Sequence, residues 1–577
     1  MTWSKRLQPL VQQLHRLRKG GGGLFLWVGP FIFLGLFFLL PLSAVFRTML
    51  QTQADPTALQ GAGPLLWNTF SFTVGQAALS TLLTLLVGLP AAYVLARFRF
   101  PGQSLLRVLS TLPFILPTVV AAAGFHALLG PRGWVNNLLM AWFQLDQSPL
   151  QIINTLGAIL LAHVFYNTSV VLRVVGSAWS QLDRRQEHAA RVLGASAWQT
   201  FWQVTLPLLR PAVFSASLLV FLFDFTSFGV ILVLGGPGFS TLETEIYLQA
   251  LSYLNLPLAG VLSAMQLGFT LIITLLYNRV SAGQKVPLAP RLRGEGQRKP
   301  RTWRERLMVV FTILVLLVLL TSPLIALAAR SVTRIEAERG ERSEVKTGFT
   351  LDYYRELFIN RRQSLFYVPP IAAVQNSLTY AAVTVVLSVS LGLLASIALT
   401  RPLAVNRPME ALLMLPLGTS AVTLGLGFLL VFNRPPLDVR SFPLLVPFAH
   451  SLAALPFVVR SVQPVLASIP KSLRQAAGVL GANPWRVWME VDLPIISRAL
   501  TASAVFAFTV SLGEFGATSF LARPETPTMP IAIYRFFSQP GALNYGQAMA
   551  MSTLLLLVCL FSLLVIERLQ TGLDRFI

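Results

Sequence analysis

Long apolar runs alternate with short polar segments along almost the whole chain. A membrane-spanning helix needs about 20 apolar residues, because it must cross about 30 Å of hydrocarbon at about 1.5 Å per residue. The pattern therefore predicts twelve such helices, six in each half of the sequence. The predicted spans are residues 24–46, 70–96, 108–129, 156–175, 212–234, 258–277, 307–329, 378–399, 411–431, 444–462, 499–521 and 548–566.

One predicted span carries prolines and a glycine in its interior, in the segment LPFILPTVVAAAGF at residues 112–125. Such breaks are tolerated in a membrane where neighbouring helices or a cavity satisfy the backbone. Two interpretations stay open at this point. The span lines a path through the protein, or it packs as an ordinary kinked helix.

The composition excludes a single soluble globule. Of the 577 residues 54% are hydrophobic and only 12% are charged, which predicts an all-α polytopic membrane protein. The formal net charge is +22, but the Lys and Arg residues lie in short clusters between apolar runs. That distribution is typical of cytoplasmic loops held near anionic lipid. We therefore expect the lipid bilayer as a partner and no nucleic acid.

The basic clusters also indicate the orientation of the chain. Residues 1–23 contain basic residues and no acid, and further arginines follow the second predicted span. The loops predicted for the opposite side carry acids instead, at Asp55, Asp146, Glu243 and Glu245. With twelve spans, the positive-inside rule places both termini in the cytoplasm. A cleaved signal peptide is the alternative for the N-terminus, but the first apolar run is too long and lacks a small-residue cleavage site.

A basic segment rich in Pro and Gly divides the predicted spans into two sets. We predict a cytoplasmic N-terminus at 1–23, a first permease half at 24–279, a cytoplasmic linker at 280–306 and a second half at 307–577. The linker composition suits a lipid-proximal tether. The largest predicted external segment, residues 331–375, mixes both signs of charge and is expected to form a small external cap.

A polar stretch occurs twice. The first copy, HAARVLGASAWQTFWQVTLPLLRPAV, begins at residue 188, and the second, QAAGVLGANPWRVWMEVDLPIISRAL, begins 287 positions later at residue 475. We call them the first repeat and the second repeat. Phe-Gly at 228–229 and Ile-Tyr at 246–247 recur at the same offset. Such a duplication predicts two equivalent six-helix halves related by a pseudo-twofold axis along the membrane normal.

The spacing within each repeat predicts a short helix, a turn and a second helix that re-enters the membrane. Two alanines precede a glycine by four positions in the first repeat, and Leu-Pro follows about thirteen positions later. Glycine provides the backbone freedom for the turn, and alanine lets another protein pack closely. The pattern resembles the EAA loop of bacterial ABC importer permeases, the cytoplasmic segment that docks into a cleft of the ATPase subunit. An internal duplication without an ATPase partner is the alternative.

The resemblance extends over the whole chain, which is similar to the fused two-half permeases of the type I ABC importers. It implies two ABC ATPase subunits that hold ATP and Mg²⁺, an external substrate-binding protein and a place in the bacterial plasma (inner) membrane. The family's opening Glu is replaced by His188, after Glu187, and by Gln475. The residues that the resemblance assigns to ATPase coupling are Glu187, His188, Ala189, Ala190, Gly194, Gln475, Ala476, Ala477 and Gly481.

We predict that this chain is a transport subunit rather than an enzyme. No GxxxxGK[ST] phosphate-binding loop occurs in the sequence, so ATP hydrolysis is expected on a separate chain. The five histidines show no paired metal-ligand spacing, and the single cysteine, Cys559, lies in an apolar run. No catalytic residue, bound cofactor or metal site is therefore predicted for this chain.

Polar residues inside apolar runs are the candidates for the translocation pathway. Asp224 and Glu514 interrupt predicted spans, and a carboxylate at membrane depth costs about 2.5–3.5 kcal/mol, so it should face the bundle interior or a watery cavity. His163 and Asn167 lie four apart on one predicted helix face. These four residues either contact the solute or hydrogen bond between helices. The segment SLGEFGAT around Glu514 resembles one in sulfate and molybdate permeases, so it does not indicate a cationic solute.

Two segments suggest the solute. ILLAHVFYN at 159–167 and TLETEIYLQALSYLNLP at 241–257 resemble stretches of thiamine and thiamine-diphosphate permeases, so thiamine or its phosphates is the first expectation and ferric iron the second. A different class, an ion-gradient-driven secondary transporter, also uses internal repeats, but it gives no reason for the duplicated loop. A membrane-embedded enzyme would need convergent catalytic groups, and the sequence offers only scattered ones.

Overall fold

The computed structural model describes residues 24–53, 61–282, 297–334, 348–360, 368–433, 438 and 442–571. The predicted N-terminal segment 1–23, most of the linker and much of the predicted external cap lie outside these residues. The chain forms two compact units, which we call unit A and unit B. Unit A contains the described residues of Thr48–Leu365 and Met529–Leu557, and unit B those of Met1–Arg47, Phe366–Thr528 and Val558–Ile577.

Each unit combines segments from both halves of the sequence. Unit A holds most of the first half together with the helix that follows the linker, Trp303–Arg330, and the short helix Met529–Phe537. Unit B holds most of the second half together with the start of the first apolar helix. Two helices, Leu40–Gln53 and Ala542–Thr571, run from one unit into the other. The compact units therefore differ from the sequence halves by an exchange of terminal helices.

Unit A is almost entirely helical in the part that the structure describes. A pair of two-residue antiparallel strands, Thr333–Arg334 and Gly348–Phe349, is the exception. Its α-helices are Gly63–Arg97, Gln103–Ile115, Thr118–Leu129, Trp134–Phe143, Leu156–Gln181, Arg184–Val192, Ala197–Thr200, Leu206–Phe225, Gly229–Leu234, Leu242–Tyr247, Leu256–Ala282, Trp303–Arg330, Asp352–Arg355 and Met529–Phe537. Phe201–Thr205 and Leu248–Ser252 are π-helical, and Glu356–Phe358 is a 3₁₀ turn.

Unit B is also built from helices in the part that the structure describes. Its α-helices are Ala372–Leu399, Asn406–Met414, Ala421–Val431, Leu445–Ser468, Lys471–Val479, Pro484–Val487, Leu493–Gly513 and Thr518–Leu521. Gly35–Leu39 and Trp488–Asp492 are π-helical, and Leu415–Gly418 is a 3₁₀ turn. A core of phenylalanines forms where the first apolar helix packs on the others, with Phe37 and Phe448 ring centroids 4.5 Å apart.

Ten helices of the described chain are long and apolar enough to cross a membrane, and two bent helix pairs raise the number to twelve if each pair is one span. The all-α polytopic fold predicted from the sequence is confirmed. The bent pairs are Gln103–Ile115 with Thr118–Phe143, at 112°, and Asn406–Gly418 with Ala421–Val431, at 102°.

The two bends have identifiable local causes. Pro117 precedes the second helix of the first pair with an extended backbone, and a proline disfavours helical backbone in the residue before it. In the second pair Ser420 caps the new helix, since its hydroxyl accepts hydrogen bonds from the amides of Val422 and Thr423 at 3.1 and 3.2 Å. The predicted third span of each half therefore consists of two helices that meet at a sharp bend.

Two predicted spans were wrong in their bounds. The predictions 212–234 and 499–521 correspond to helices that end earlier, at Phe225 and at Gly513, and that are followed by a break and a further short helix. Hydropathy continues through these breaks because the residues on both sides are apolar. The breaks themselves depend on backbone capping, which an average over a window of residues does not detect.

Close helix crossings recur at equivalent places in the two units. A Cβ atom added to Gly88 would lie 2.7 Å from the side chain of Val171, and one added to Gly392 would lie 2.5 Å from Val458. Residues 171 and 458 are separated by 287 positions, the offset of the two repeats. Glycine lets the helix backbones approach in both units, so the duplication extends to the packing of the spans.

Candidate functional site

The two repeats fold into the same helix, turn and helix. The first helices, Arg184–Val192 and Lys471–Val479, bury none of their residues. Both end at a glycine with left-handed backbone, Gly194 at φ +92° and Gly481 at φ +85°. The amide of the next residue then closes the helix by donating back to the alanine five positions earlier, at 3.0 Å in each repeat. Glycine is the residue that adopts this conformation without steric cost.

The turn leads directly into a capped second helix. Ser196 caps the first repeat, with its hydroxyl accepting from the Gln199 amide at 3.2 Å, and Asn483 caps the second, accepting from the Arg486 amide at 2.8 Å. Each second helix passes through a π-helical turn and continues as a membrane span. The loop and the span are therefore one continuous element in both repeats.

Each repeat exposes apolar side chains at its turn. Val192 and Val479 are 86% and 88% exposed, and Trp198 and Trp485 are 70% exposed each. Leu193 and Leu480 are exposed beside them. Valine, leucine and tryptophan this open to solvent indicate a surface that another protein covers. We call these two surfaces the first apolar knob, Val192, Leu193 and Trp198, and the second apolar knob, Val479, Leu480 and Trp485.

A polar contact fastens each first helix to the start of its own span. Glu187 pairs with Arg97 and accepts a hydrogen bond from Thr205 at 2.9 Å. In the second repeat Arg474 donates to Asp492 at 2.8 Å. Arg474 and Asp492 stand at the positions of Glu187 and Thr205 plus 287. Each repeat therefore has a polar contact between its first helix and its own span, made by different residues in the two repeats. We call this contact the strap.

The structure places the predicted coupling residues in two different environments. Glu187 turns toward the protein and is held by Arg97, whereas His188, Ala189, Gln475 and the other first-helix residues of the set lie exposed or half-exposed. The predicted set did not include the apolar knobs. The signal for them was present in the sequence, since Val192, Leu193 and Trp198 recur unchanged in the second repeat.

Three of the four predicted pathway residues meet in one buried cluster of unit A. Asn167 donates to the Oδ1 atom of Asp224 at 2.6 Å, and the Nδ1 atom of His163 lies 3.3 Å from the same oxygen. The two ring nitrogens of His163 also lie 2.9 Å from the hydroxyls of Ser80 and Ser227. Ser80 and Asp224 lie on two neighbouring helices and Ser227 lies in the break after Phe225, so the cluster joins three helices and this break.

The fourth predicted residue, Glu514, lies in a matching cluster of unit B. The Nε2 atom of His450 lies 3.2 Å from the Glu514 carboxylate and 2.7 Å from the hydroxyl of Thr518, and its Nδ1 atom lies 2.8 Å from Ser511. The carboxylate also accepts from the amides of Ala517 and Thr518, at 2.8 and 3.0 Å. Glu514 therefore caps the short helix after the break.

The position that carries the carboxylate in one cluster carries a hydroxyl in the other. His450 is His163 plus 287, Ser511 corresponds to Asp224, and Glu514 corresponds to Ser227. Each buried histidine thus has one carboxylate and hydroxyl partners, although the carboxylate comes from a different position. Sequence reasoning missed His450, and the common offset would have found it. That these groups line the pathway stays a prediction.

Two tyrosines at equivalent positions meet within unit A. Tyr247 and Tyr534 are separated by 287 positions, and their side chains form a hydrogen bond. Both side chains are half-buried, and the ring of Phe228 packs on Tyr247 with centroids 5.4 Å apart. Two residues that a twofold rotation exchanges can touch only close to the rotation axis. The pair therefore marks the local twofold that relates the Leu242–Tyr247 and Met529–Phe537 helices.

The charge pattern places Glu243 and Glu245 in a loop on the side opposite the basic clusters, and the structure adds that neither faces open solvent. Both are buried, at 1% and 6% exposure. Gln266 donates to Glu243, and Gln249 donates to Glu245 at 2.7 Å, while Ser240 donates to the other oxygen of Glu245 at 2.8 Å. These amide and hydroxyl donors replace water around the two carboxylates. The helix that carries them, Leu242–Tyr247, packs against the Leu256–Ala282 and Gly63–Arg97 helices.

Comparison with protein families gives a match over most of the chain. The matching family is described as the binding-protein-dependent transport system inner membrane component, and it matches residues 84–336 and 372–577. The two matched segments agree with the internal duplication.

Curated relatives match along almost their whole length. The chain is 28% identical over 521 residues to the thiamine transport system permease protein ThiP of Escherichia coli (strain K12), covering 87% of this chain and 89% of that protein. It is 28% identical to the protein of the same name from Haemophilus influenzae, covering 85% and 86%. It is 26% identical to the probable ABC transporter permease protein y4fN of Sinorhizobium fredii, covering 88% of each.

Solved structures match about half of the chain. A bacterial ABC transporter involved in the import of the acidic polysaccharide alginate has a chain that is 18% identical, with a TM-score of 0.40, covering 48% of this chain and 100% of that one. A bacterial alginate ABC transporter in complex with a periplasmic protein gives 20% identity and a TM-score of 0.37, covering 48% and 96%.

The buried cluster of unit B predicts an energetic coupling between His450 and Glu514. Each single replacement by Ala should lower the free energy of unfolding by about 2–4 kcal/mol, because each leaves a buried polar partner unsatisfied. The double variant should be less destabilised than the sum of the two, by about 1–3 kcal/mol. Unfolding of the purified chain in detergent, followed by tryptophan fluorescence, measures the three values.

The control is Ser497→Ala, an exposed position on the helix that leads to Glu514. Combined with His450→Ala it should be additive within about 0.5 kcal/mol. Additive effects for His450 and Glu514 themselves would show that the two groups do not support one another.

Proposed function

The chain belongs to the family of binding-protein-dependent transport system inner membrane components, and we propose that it is the permease through which a bacterial ABC importer moves thiamine or a thiamine phosphate. It is a multi-pass inner membrane permease of the ABC importer class, and its relatives are transport subunits. In this proposal an external binding protein delivers the solute, two ATPase subunits bind from the cytoplasm, and both termini are cytoplasmic.

The single observation that carries the ATPase contact is the pair of apolar knobs. They project from the two repeats with nearly the same exposure, and each lies at the glycine turn between an unburied helix and a membrane span. A cleft on each ATPase subunit would cover one knob and remove its apolar surface from water. The first helices, with His188, Ala189 and Ala190 or Gln475, Ala476 and Ala477, then contact the rim of that cleft.

ATP and Mg²⁺ act on the partner subunits in this proposal, and the permease converts their motion into a change of access. The turn, the capped helix and the span form one continuous element in each repeat, so a displacement of the knob is passed to the span. The contacts Glu187–Thr205 and Arg474–Asp492 keep the first helix of each repeat attached to the same element. Closure of the ATPase pair would draw the two loops together and open the translocation pathway toward the outside, and ATP hydrolysis would return the permease to its starting state.

The solute assignment draws on the relatives and on the chemistry near the local twofold. The relatives that carry a thiamine name span nearly the whole chain. The aromatic rings of Tyr247, Tyr534 and Phe228 gather at the twofold, where flat faces suit a heteroaromatic solute with a positive charge. We propose that the pathway passes this pair. We further predict that Asp224, Glu514, His163 and Asn167 contact the solute on its way through the pathway.

Solute-dependent ATPase activity tests the substrate. The permease, its ATPase and its binding protein are reconstituted in vesicles, and thiamine, thiamine diphosphate or ferric iron is added in turn. Stimulation of ATP hydrolysis by a thiamine compound alone is expected.

Stimulation by ferric iron alone would keep the importer class and replace the solute. If no ATPase co-purifies and uptake follows an ion gradient, the chain works as a secondary transporter and the role given to the knobs is lost.

Replacement of Gly481 by Val should uncouple the transporter without preventing membrane insertion. A β-branched side chain is strained at φ +85°, by about 1–3 kcal/mol, so the turn changes shape and the second apolar knob moves. Solute-stimulated ATP hydrolysis by the reconstituted complex should fall by roughly tenfold or more, since about 1.4 kcal/mol corresponds to a factor of ten.

Gly268→Val is the matched control, because Gly268 lies in the Leu256–Ala282 helix with open space around it and an ordinary φ. It should leave the stimulation near the wild-type value. Full stimulation in an assembled Gly481→Val complex would count against the second repeat as a docking loop.

A further inference from the structure

A basic cavity of about 480 Å³ lies beside the first repeat, within unit A. Its walls come from the end of the Gly63–Arg97 helix, the end of the Leu156–Gln181 helix, the first repeat and the segment 298–305. The cavity lies behind the first helix of the repeat, and its contents can touch that helix directly.

Positive charge exceeds negative charge in this cavity. Its lining contains five arginines and two glutamates, and each glutamate is already paired, Glu187 with Arg97 and Glu305 with Arg298. The hydrogen bond to Glu305 raises the pKa of Arg298 above its ordinary value, so this guanidinium stays charged. The remaining lining arginines are Arg184, Arg191 and Arg301, and among the residues described none of their guanidinium groups forms an ion pair with a carboxylate.

The unpaired guanidinium groups repel one another. Arg184 and Arg191 lie close enough to Arg97 to act on it electrostatically, and the carboxylate of Glu187 offsets part of this positive charge. An anion in the cavity would relieve this repulsion and accept hydrogen bonds from more than one guanidinium. The planar fork of arginine fits the oxygens of a phosphate group in particular.

Aromatic side chains line part of the cavity, as they do at the interface between membrane and water. The rings of Tyr93 and Trp179 lie 5.2 Å apart, those of Tyr93 and Phe98 lie 5.8 Å apart, and the Arg298 guanidinium lies 5.1 Å from the centre of the Phe98 ring. Tryptophan and tyrosine at the ends of membrane spans are typical of the headgroup region. Basic pockets between helices at this level bind phosphate headgroups in other membrane proteins.

The cavity also joins three parts of the chain that are distant in sequence. The backbone of Arg298 bridges to the end of the Gly63–Arg97 helix, with Arg99 N donating to Arg298 O at 2.9 Å and Arg298 N donating to Arg97 O at 3.1 Å. Thr302 and Glu305 then cap the next span. The second repeat differs at the matching positions, since Gly478 stands where Arg191 lies and Arg474 where Glu187 lies.

We propose that this cavity is a phosphate-binding site, filled by the headgroup of an anionic phospholipid or by a free phosphorylated solute, and that the bound phosphate holds the first helix of the first repeat against the spans. Binding at this site goes beyond the proposed import function and does not depend on it. Its effect on the docking of a partner at the first apolar knob does rest on that function.

Thermal unfolding of the purified full chain in neutral detergent tests the binding step without any partner protein. The probes are short-chain phosphatidylglycerol, short-chain phosphatidylcholine and inorganic pyrophosphate. A saturable rise of the melting temperature with phosphatidylglycerol but not phosphatidylcholine is expected for a lipid headgroup. A rise with pyrophosphate and none with phosphatidylglycerol identifies a free phosphorylated solute as the source and supports the site equally.

The variant Arg184→Gln/Arg301→Gln should weaken the apparent affinity for the active probe by at least tenfold, since it removes two unpaired guanidiniums. Arg210→Gln is the matched control, because Arg210 is an exposed arginine near the start of the span and does not line the cavity. An unchanged affinity in the double variant would overturn the proposal.

The wild-type chain gives a second, independent test if the double variant does not fold. Native mass spectrometry of the unaltered protein should retain one phosphatidylglycerol or pyrophosphate after mild delipidation, and Arg301→Gln alone should lower its occupancy. A chain that neither retains nor is stabilised by either probe has no phosphate site. If the chain binds either probe and assembles normally with its partners but the solute does not stimulate ATP hydrolysis, the phosphate site is supported and the import proposal is not.

Discussion

Hydrocarbon offers no hydrogen bonds, so every interruption of a membrane helix in this chain needs a polar partner supplied by the protein itself. The two spans that follow the repeats both break before they are complete, and the break in unit B is closed by Glu514, whose carboxylate accepts from the amides of Ala517 and Thr518. The histidine beside it holds the same carboxylate. A buried acid, which is costly alone, is therefore what allows the chain to turn inward at this depth.

The same constraint shapes the symmetry of the molecule. His163 and His450 occupy equivalent places, yet the acid reaches the first from Asp224 and the second from Glu514. The straps behind the repeats show the same freedom, with Glu187 and Thr205 in one and Arg474 and Asp492 in the other. What is duplicated is the presence of a polar contact at each of these places rather than the identity of the residues that make it. The two apolar knobs, which are exposed, consist of the same three residue types in both repeats.

Sequence reasoning reached the features that depend on a local pattern. The apolar runs predict the spans, and the repeated Gly and Ala-Ala pattern predicts the helix, turn and helix that Gly194 and Gly481 form. It failed where distant partners decide. The charge pattern places Glu243 in a loop and does not predict its burial, which the hydrogen bond from Gln266 of another helix supports. The ends of the spans at Phe225 and Gly513 likewise depend on caps that hydropathy does not contain.

In the proposed mechanism the two repeats approach one another when the ATPase partners bind ATP. Spin labels at Gln181 and Ser468, exposed and separated by the same 287 positions, report this motion without touching the apolar knobs. The labels are introduced as Gln181→Cys and Ser468→Cys after the single native cysteine, the buried Cys559, is changed to Ser. Pulsed electron paramagnetic resonance on the reconstituted complex should show a shorter distance between the labels when ATP is bound without hydrolysis. An unchanged or longer distance in a complex that hydrolyses ATP would contradict the account.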